Sequence, residues 1–184
     1  SLYYSTYKGE LTAQLMEMAG YDAMTIGNHE FDDGPEVLEA FIKASKVPVL
    51  SANVHPTAAS SLDGEIIPET IVELGGEKIG LIGITTEETP DISSPGDHVS
   101  ITDSEMALRY SVARLRLKGI NKIIVMSHSG SYKDFELAKT VSGIDVIVGG
   151  HDNQLFSNTN EKADYPYPVV ETAPDGKPVL VVQA

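Results

Sequence analysis

The chain has 184 residues, no cysteine, and 27 acidic against 13 basic side chains, for a formal charge of −14. That length suits one domain with a sizeable core, and the charge argues against nucleic acid and anionic-membrane partners, since duplex binding depends on phosphate neutralisation by Lys and Arg. The cysteine count excludes disulfides, thiolate metal sites and a cysteine nucleophile, and no run reaches the roughly 18 apolar residues of a membrane span.

The periodicity predicts a first helix over Tyr7 to Met18, with Leu11, Leu15 and Met18 on its inner face and Gly20 as its stop. A strand from Asp22 to Gly27 follows. Pro35 suits the first turn of a second helix that carries Val37, Leu38, Phe41 and Ile42 inward. Val47 to Ala52 reads as a strand and His55 to Gly64 as a polar surface loop. Thr70–Leu74 and Lys78–Ile84 read as a hairpin joined through Gly75-Gly76. Thr85–Pro95 reads as a loop, and Thr102-Asp103-Ser104-Glu105 as a capping box opening a long helix that ends near Lys118-Gly119. A short helix over Lys133 to Val141 and closing strands at Tyr167–Glu171 and Pro178–Gln183, with an Asp175-Gly176 turn between them, complete the pattern. Helices alternating with buried strands indicate an α/β layered fold.

Three apolar runs end in a histidine set among small or polar residues: Ala23–Gly27 before Asn28-His29-Glu30, Lys122–Ser127 before His128, and Asp145–Gly150 before His151-Asp152-Asn153. The carboxyl ends of parallel strands are where open α/β sheets place ligands, so these histidines can meet at one metal or phosphate site. Asn offers a carbonyl oxygen to a cation, and His offers a ligand nitrogen or a proton. Asp32 can fix the tautomer of His29 three residues earlier. Spacing alone leaves the alternative of a strand-to-helix turn capped by Asn and Asp. His128 can equally be a strand-end histidine satisfied by a carbonyl. Residues 151 and 153 point the same way if their segment is extended. His55 and His98 are expected in solvent, and Asp32-Asp33 and Glu87-Glu88 as surface charge. The chain has no G-x-S-x-G elbow and no nucleotide-binding glycine loop.

Five blocks, in order, carry a resemblance: Gly27-Asn28-His29-Glu30-Phe31-Asp32, Leu50-Ser51-Ala52-Asn53, Gly83-Ile84-Thr85-Thr86-Glu87-Glu88-Thr89-Pro90, Ser127-His128-Ser129-Gly130 and Gly149-Gly150-His151-Asp152-Asn153. Together they resemble the 5′-nucleotidase branch of the calcineurin-like metallophosphoesterases. The resemblance implies a four-layer α/β/β/α fold and two divalent metal ions, zinc, manganese or similar. It implies Asn28, His128 and His151 as ligands of one metal and Asn153 as a ligand of the other. It also implies a His29–Asp32 catalytic pair, with Asn28 and His29 facing the substrate phosphate. The implied reaction is hydrolysis of nucleoside 5′-monophosphates by in-line attack of a metal-activated water. Alternatives are a UDP-sugar hydrolase, a 2′,3′-cyclic nucleotide phosphodiesterase, or a degenerate non-catalytic binding module. The family is mostly periplasmic or extracellular.

The family opens with an Asp-x-His strand and a Gly-Asp whose Asp bridges both metals, and it ends in a second, nucleotide-binding domain. None of these is matched in residues 1–184, which start at Ser1 without an initiator Met. The chain is therefore expected to be a partial domain lacking the first strand. Without the bridging carboxylate it is expected to bind metal weakly and to turn over little nucleotide.

Overall fold

The computed structural model describes residues 9–183. The first described helix, α1, spans Glu10–Ala19 and stops at Gly20, whose φ of 74° only glycine adopts readily. The expected start at Tyr7 lies outside the described residues. The inward face of α1 differs from the expectation: Ala13 is buried and Met16 packs inward, whereas Leu15 and Met18 are exposed. Two stripes of this helix are apolar, and the one carrying Ala13 and Met16 packs inward.

After β1 (Met24–Thr25) a 3-10 turn covers Asn28–Phe31, followed by α2 (Pro35–Ala44) and β2 (Val49–Leu50). Leu38, Phe41 and Ile42 of α2 are buried, as their spacing predicted. The two strands are shorter than their apolar runs because only two residue pairs, Met24 with Val49 and Thr25 with Leu50, align in parallel. His55 lies not in a loop but in β3 (Val54–Pro56), paired antiparallel with β6 (Val99–Ile101).

The main sheet has six strands in the order β4 (Glu69–Leu74), β5 (Glu77–Thr85), β7 (Ile123–His128), β8 (Val146–Gly149), β10 (Pro178–Gln183) and β9 (Val169–Thr172). Its four central strands run parallel, and β4 and β9 close the edges antiparallel. The β4–β5 hairpin turns through Gly75 and Gly76, both with positive φ. The segment read as a Thr/Pro-rich loop contains a short helix, α3 (Thr89–Ile92). Helix α4 (Ser104–Leu117) begins one residue later than the capping box suggested: Asp103 is the cap, its side chain accepting from the Met106 amide at 2.7 Å. Helix α5 spans Ser131–Thr140.

Three clusters of buried side chains define the layers. Ile82, Ile84, Leu108, Leu115, Ile123, Val125, Leu137 and Ile147 lie between the main sheet and α4 and α5. Ile26, Phe31, Leu38, Phe41 and Val49 lie under α1 and α2. Ala23, Leu50 and Leu81, with Ile124 and Met126 against them, lie between the two sheets. The result is an α/β/β/α sandwich. Residues of β7 alternate between its faces, Ile123 and Val125 toward α4 and α5 and Ile124 and Met126 toward the small sheet. The same alternation sends Ser127 to the helix side and His128 to the inter-sheet side.

Candidate metal centre at the strand ends

Parallel register puts the strand termini at one edge: Thr85 pairs with His128, and Gln183 pairs with Gly149. The 3-10 turn after β1 brings Asn28 to the same edge. Asn28 is buried, and its Oδ1 stands 3.2 Å from His128 Nε2. The His128 and His151 rings meet edge-on with centroids 5.1 Å apart. Gly27 makes room for this arrangement, since a Cβ there would lie 2.6 Å from the His128 ring. Burial, then the neighbouring His151 and His29, push the His128 pKa down to about 4. His128 is therefore a neutral imidazole near pH 7, with one ring nitrogen carrying a hydrogen and the other a lone pair.

His29 is exposed and stands beside this group. Its Nδ1 lies 2.8 Å from Asp32 Oδ2, and Asp32 Oδ1 accepts from Ser93 Oγ at 2.8 Å. The bond from His29 outweighs the small cost of burial and, with Ser93, holds the Asp32 carboxyl below its ordinary value. The expectation that residues 151 and 153 share a direction on extended backbone is corrected: His151 has φ 87° and Asn153 φ 55°, a tight turn of left-handed residues. Asn153 is exposed, and its Nδ2 lies 3.4 Å from the His151 carbonyl.

Among the described residues no three His, Asp or Glu side chains converge closely enough to hold a metal ion. What converges is a neutral donor set of one amide oxygen and two imidazoles, which can coordinate a divalent ion but brings no anionic charge. A cleft of about 440 Å³ opens beside His151, lined also by Thr86, Glu87, Ser129, Tyr132 and Lys133. A larger cleft of about 580 Å³, lined by Val54, His55, Ile66, Tyr110 and Arg114, shares no residue with the strand-end histidines.

The residues beneath the site stand in the five motif blocks, but their bonding was not legible from the sequence. Asn53 donates to the Thr85 and Thr102 carbonyls at 2.8 and 3.2 Å and accepts from the Thr85 amide at 3.0 Å. Thr85 Oγ1 in turn donates to the Ile26 carbonyl at 2.9 Å, which ties the start of the Asn28 turn to the main sheet. Glu87, read as surface charge, accepts from the Ser104 amide and hydroxyl and pairs with Lys133. Asp152 accepts from the Ser131 amide at 2.7 Å and hydroxyl at 2.5 Å. Partial burial pushes Asp152 up, but these bonds outweigh it and hold its pKa below the ordinary value.

Known proteins match this architecture. The chain is 41% identical over 191 residues to a snake venom 5′-nucleotidase from Naja atra, all of this chain against 36% of that protein. Its structure superposes with a TM-score of 0.96 on a 5′-nucleotidase precursor from Thermus thermophilus, at 42% identity, and 0.93 on the Haemophilus influenzae NAD nucleotidase, at 39%. In both cases all of this chain is covered and 37% of the other. The chain thus spans about a third of the length of the relatives it matches. No helix among the described residues is long and apolar enough to cross a membrane. The family model for calcineurin-like phosphoesterases matches residues 4–155, and the chain belongs to that family.

Proposed function

We propose that residues 1–184 form part of the catalytic domain of a 5′-nucleotidase-like hydrolase that releases phosphate from nucleoside 5′-monophosphates. The observation that supports this is the meeting of Asn28, His128 and His151 at one edge, with the His29–Asp32 pair on the same turn as Asn28. Asn28, His128 and His151 would hold one divalent ion, and Asn153 would contribute to a second. When bound, such ions supply Lewis-acid polarisation of the phosphoryl oxygens and activation of the attacking water. Asp32 fixes the His29 ring through Nδ1, and in the imidazolium form of His29 the Nε2–H would donate to the transferring phosphoryl group, where charge develops. Ser93 holds Asp32 from the other side. Because the named donors are all neutral, the 184-residue chain alone is proposed to bind divalent ions weakly and to turn over little AMP.

A second reading, hydrolysis of a phosphoanhydride such as a dinucleotide or a UDP-sugar, is favoured by the likeness to NAD nucleotidase. An exported location is proposed from the venom relative and from the precursor among the solved structures. The test is phosphate release by the complete gene product with Mn²⁺ or Zn²⁺ from AMP, NAD, a UDP-sugar and 2′,3′-cyclic AMP, with the 184-residue chain alongside. Preference for AMP is the expected result. Turnover of none of the four would reject the hydrolase reading, and full turnover by the short chain would reject its weak metal binding.

A further inference from the structure

Two buried oxygens without hydrogen-bond partners among the described residues both face Gly149, behind the strand-end histidines. Asp134, on α5, is fully buried, and its Oδ1 accepts from Ser127 Oγ at 2.5 Å. Its Oδ2 has no hydrogen-bond partner among the described residues. Gln183, at the end of β10, donates from Nε2 to Asp152 Oδ1 at 3.0 Å. That bond fixes the amide and leaves Oε1 buried, also without a partner among the described residues. Both oxygens crowd Gly149: a Cβ there would strike Asp134 Oδ2 and stand 2.8 Å from Gln183 Oε1. Two unpartnered buried acceptors on either side of one glycine are each costly, and a proton held between them would satisfy both.

We propose that Asp134 is a neutral carboxylic acid whose Oδ2–H donates to Gln183 Oε1, and that this acid is a positioning residue joining the His128 strand end to the His151 loop. One side of the link is Ser127, the residue before His128. The other runs through Gln183 to Asp152, the residue after His151, and on to Ser131 at the start of α5. Burial independently pushes Asp134 up to about 7 against the Ser127 bond, and the Asp152 charge acts in the same direction. Asp152 is the charged group that faces it. From β7, β8 and β10 it meets the neutral Ser127, Gly149 and Gln183, and on its own helix Lys133 pairs with Glu87 and Glu136. The positioning role rests on the two-histidine site proposed above, whereas the protonation does not.

The test begins with the wild-type 184-residue chain labelled with ¹³C at the aspartate carboxyls. One resonance, assigned to Asp134, is expected to keep its protonated shift near pH 5 and to titrate near 7. An ionised Asp134 near pH 5 overturns the proposal, for example one bridged by a water, and needs no variant to detect. A folded pKa above the unfolded value means that the folded state holds the proton more tightly. Wild-type stability therefore falls relative to Asp134→Asn as pH rises from about 4 to about 7. Asp134→Asn places an N–H donor at the same point, so it should preserve the His128 and His151 ring resonances, whereas Asp134→Ala should shift both. Equal ring shifts in the two variants overturn the positioning role. Failure of the phosphatase assay would leave the carboxyl signal unchanged, so the two readings fail separately.

Discussion

His29 and Asp32 form an exposed pair, Nδ1 to Oδ2 at 2.8 Å, one helical turn apart on the segment that also carries the buried Asn28. A buried residue and an exposed residue thus come from adjacent positions. Asn28 is turned to His128, and His29 stands free to meet a substrate. With the proposed AMP hydrolysis as readout, His29→Ala should lower kcat by ~10²–10⁴-fold, the range for a positioned proton donor. Asp32→Asn should lower it less, since the ring loses its orientation but not its presence. In the 184-residue chain His29→Ala also removes the main partner of the Asp32 carboxyl, whose titration midpoint should rise toward its ordinary value. Carboxyl NMR reads this directly, and an unmoved midpoint would show that the pair does not form in solution.

The strand-end donors should respond to metal in proportion to their convergence. A ligand that binds only the folded state stabilises it by ~2.7 kcal/mol at a hundredfold excess over Kd. Mn²⁺ or Zn²⁺ should therefore raise the Tm of the chain, and EDTA should reverse the rise. His128→Ala and Asn28→Ala should abolish most of the shift, as these two donors face each other at 3.2 Å. Asn153→Ala should leave most of it, because Asn153 is exposed and is proposed to serve the second ion rather than this one. Equal losses from all three would mean that metal binds elsewhere.

Local pattern carried much of this structure. The Gly75-Gly76 hairpin, the helix carrying Leu38, Phe41 and Ile42, and the three strands that lead to His29, His128 and His151 follow from the spacing of apolar residues along the chain. The inner face of α1 does not, because Leu15 and Met16 are both apolar and only the packing partner selects between their stripes. The turn at His151 is only partly legible: His and Asn are enriched at positive φ, but composition does not say that His151 and Asn153 adopt it and Asp152 does not. Asp134 reads as the polar face of a helix and is buried only because Ser127 and the bare Gly149 lie opposite.

Asn53 shows why the polar support of the site escaped a linear reading. Its partners Thr85 and Thr102 lie 32 and 49 residues away, so no motif unites them. Asn53→Ala would take the side-chain partner from the buried Thr85 amide and carbonyl, and from the Thr102 carbonyl at the surface. At ~1–3 kcal/mol for each buried group, the loss of stability should reach about 3 kcal/mol or more. Urea unfolding of the purified chain measures it. A loss below about 1 kcal/mol would mean that water replaces the side chain and that Asn53 does not brace the edge.

Gly27 and Gly83 separate damage to the site from damage to the fold. Gly27 has φ −102°, which any residue adopts, so alanine costs nothing in the backbone. Its Cβ would meet the His128 ring at 2.6 Å, and a side chain can rotate away. Gly83 faces the Leu50 carbonyl across the two sheets, and backbone cannot rotate away. Relief there requires the sheets to part at the Ala23, Leu50 and Leu81 cluster. Overpacking costs ~1–3 kcal/mol, occasionally more. Gly83→Ala should fall at or above the top of that range and Gly27→Ala near the bottom. The metal-induced Tm shift should order differently: Gly27→Ala, still folded, loses most of it because His128 has moved from Asn28. Urea unfolding and metal titration on the same two proteins check both halves. A Gly27→Ala chain that keeps its full metal response would place the cation away from His128.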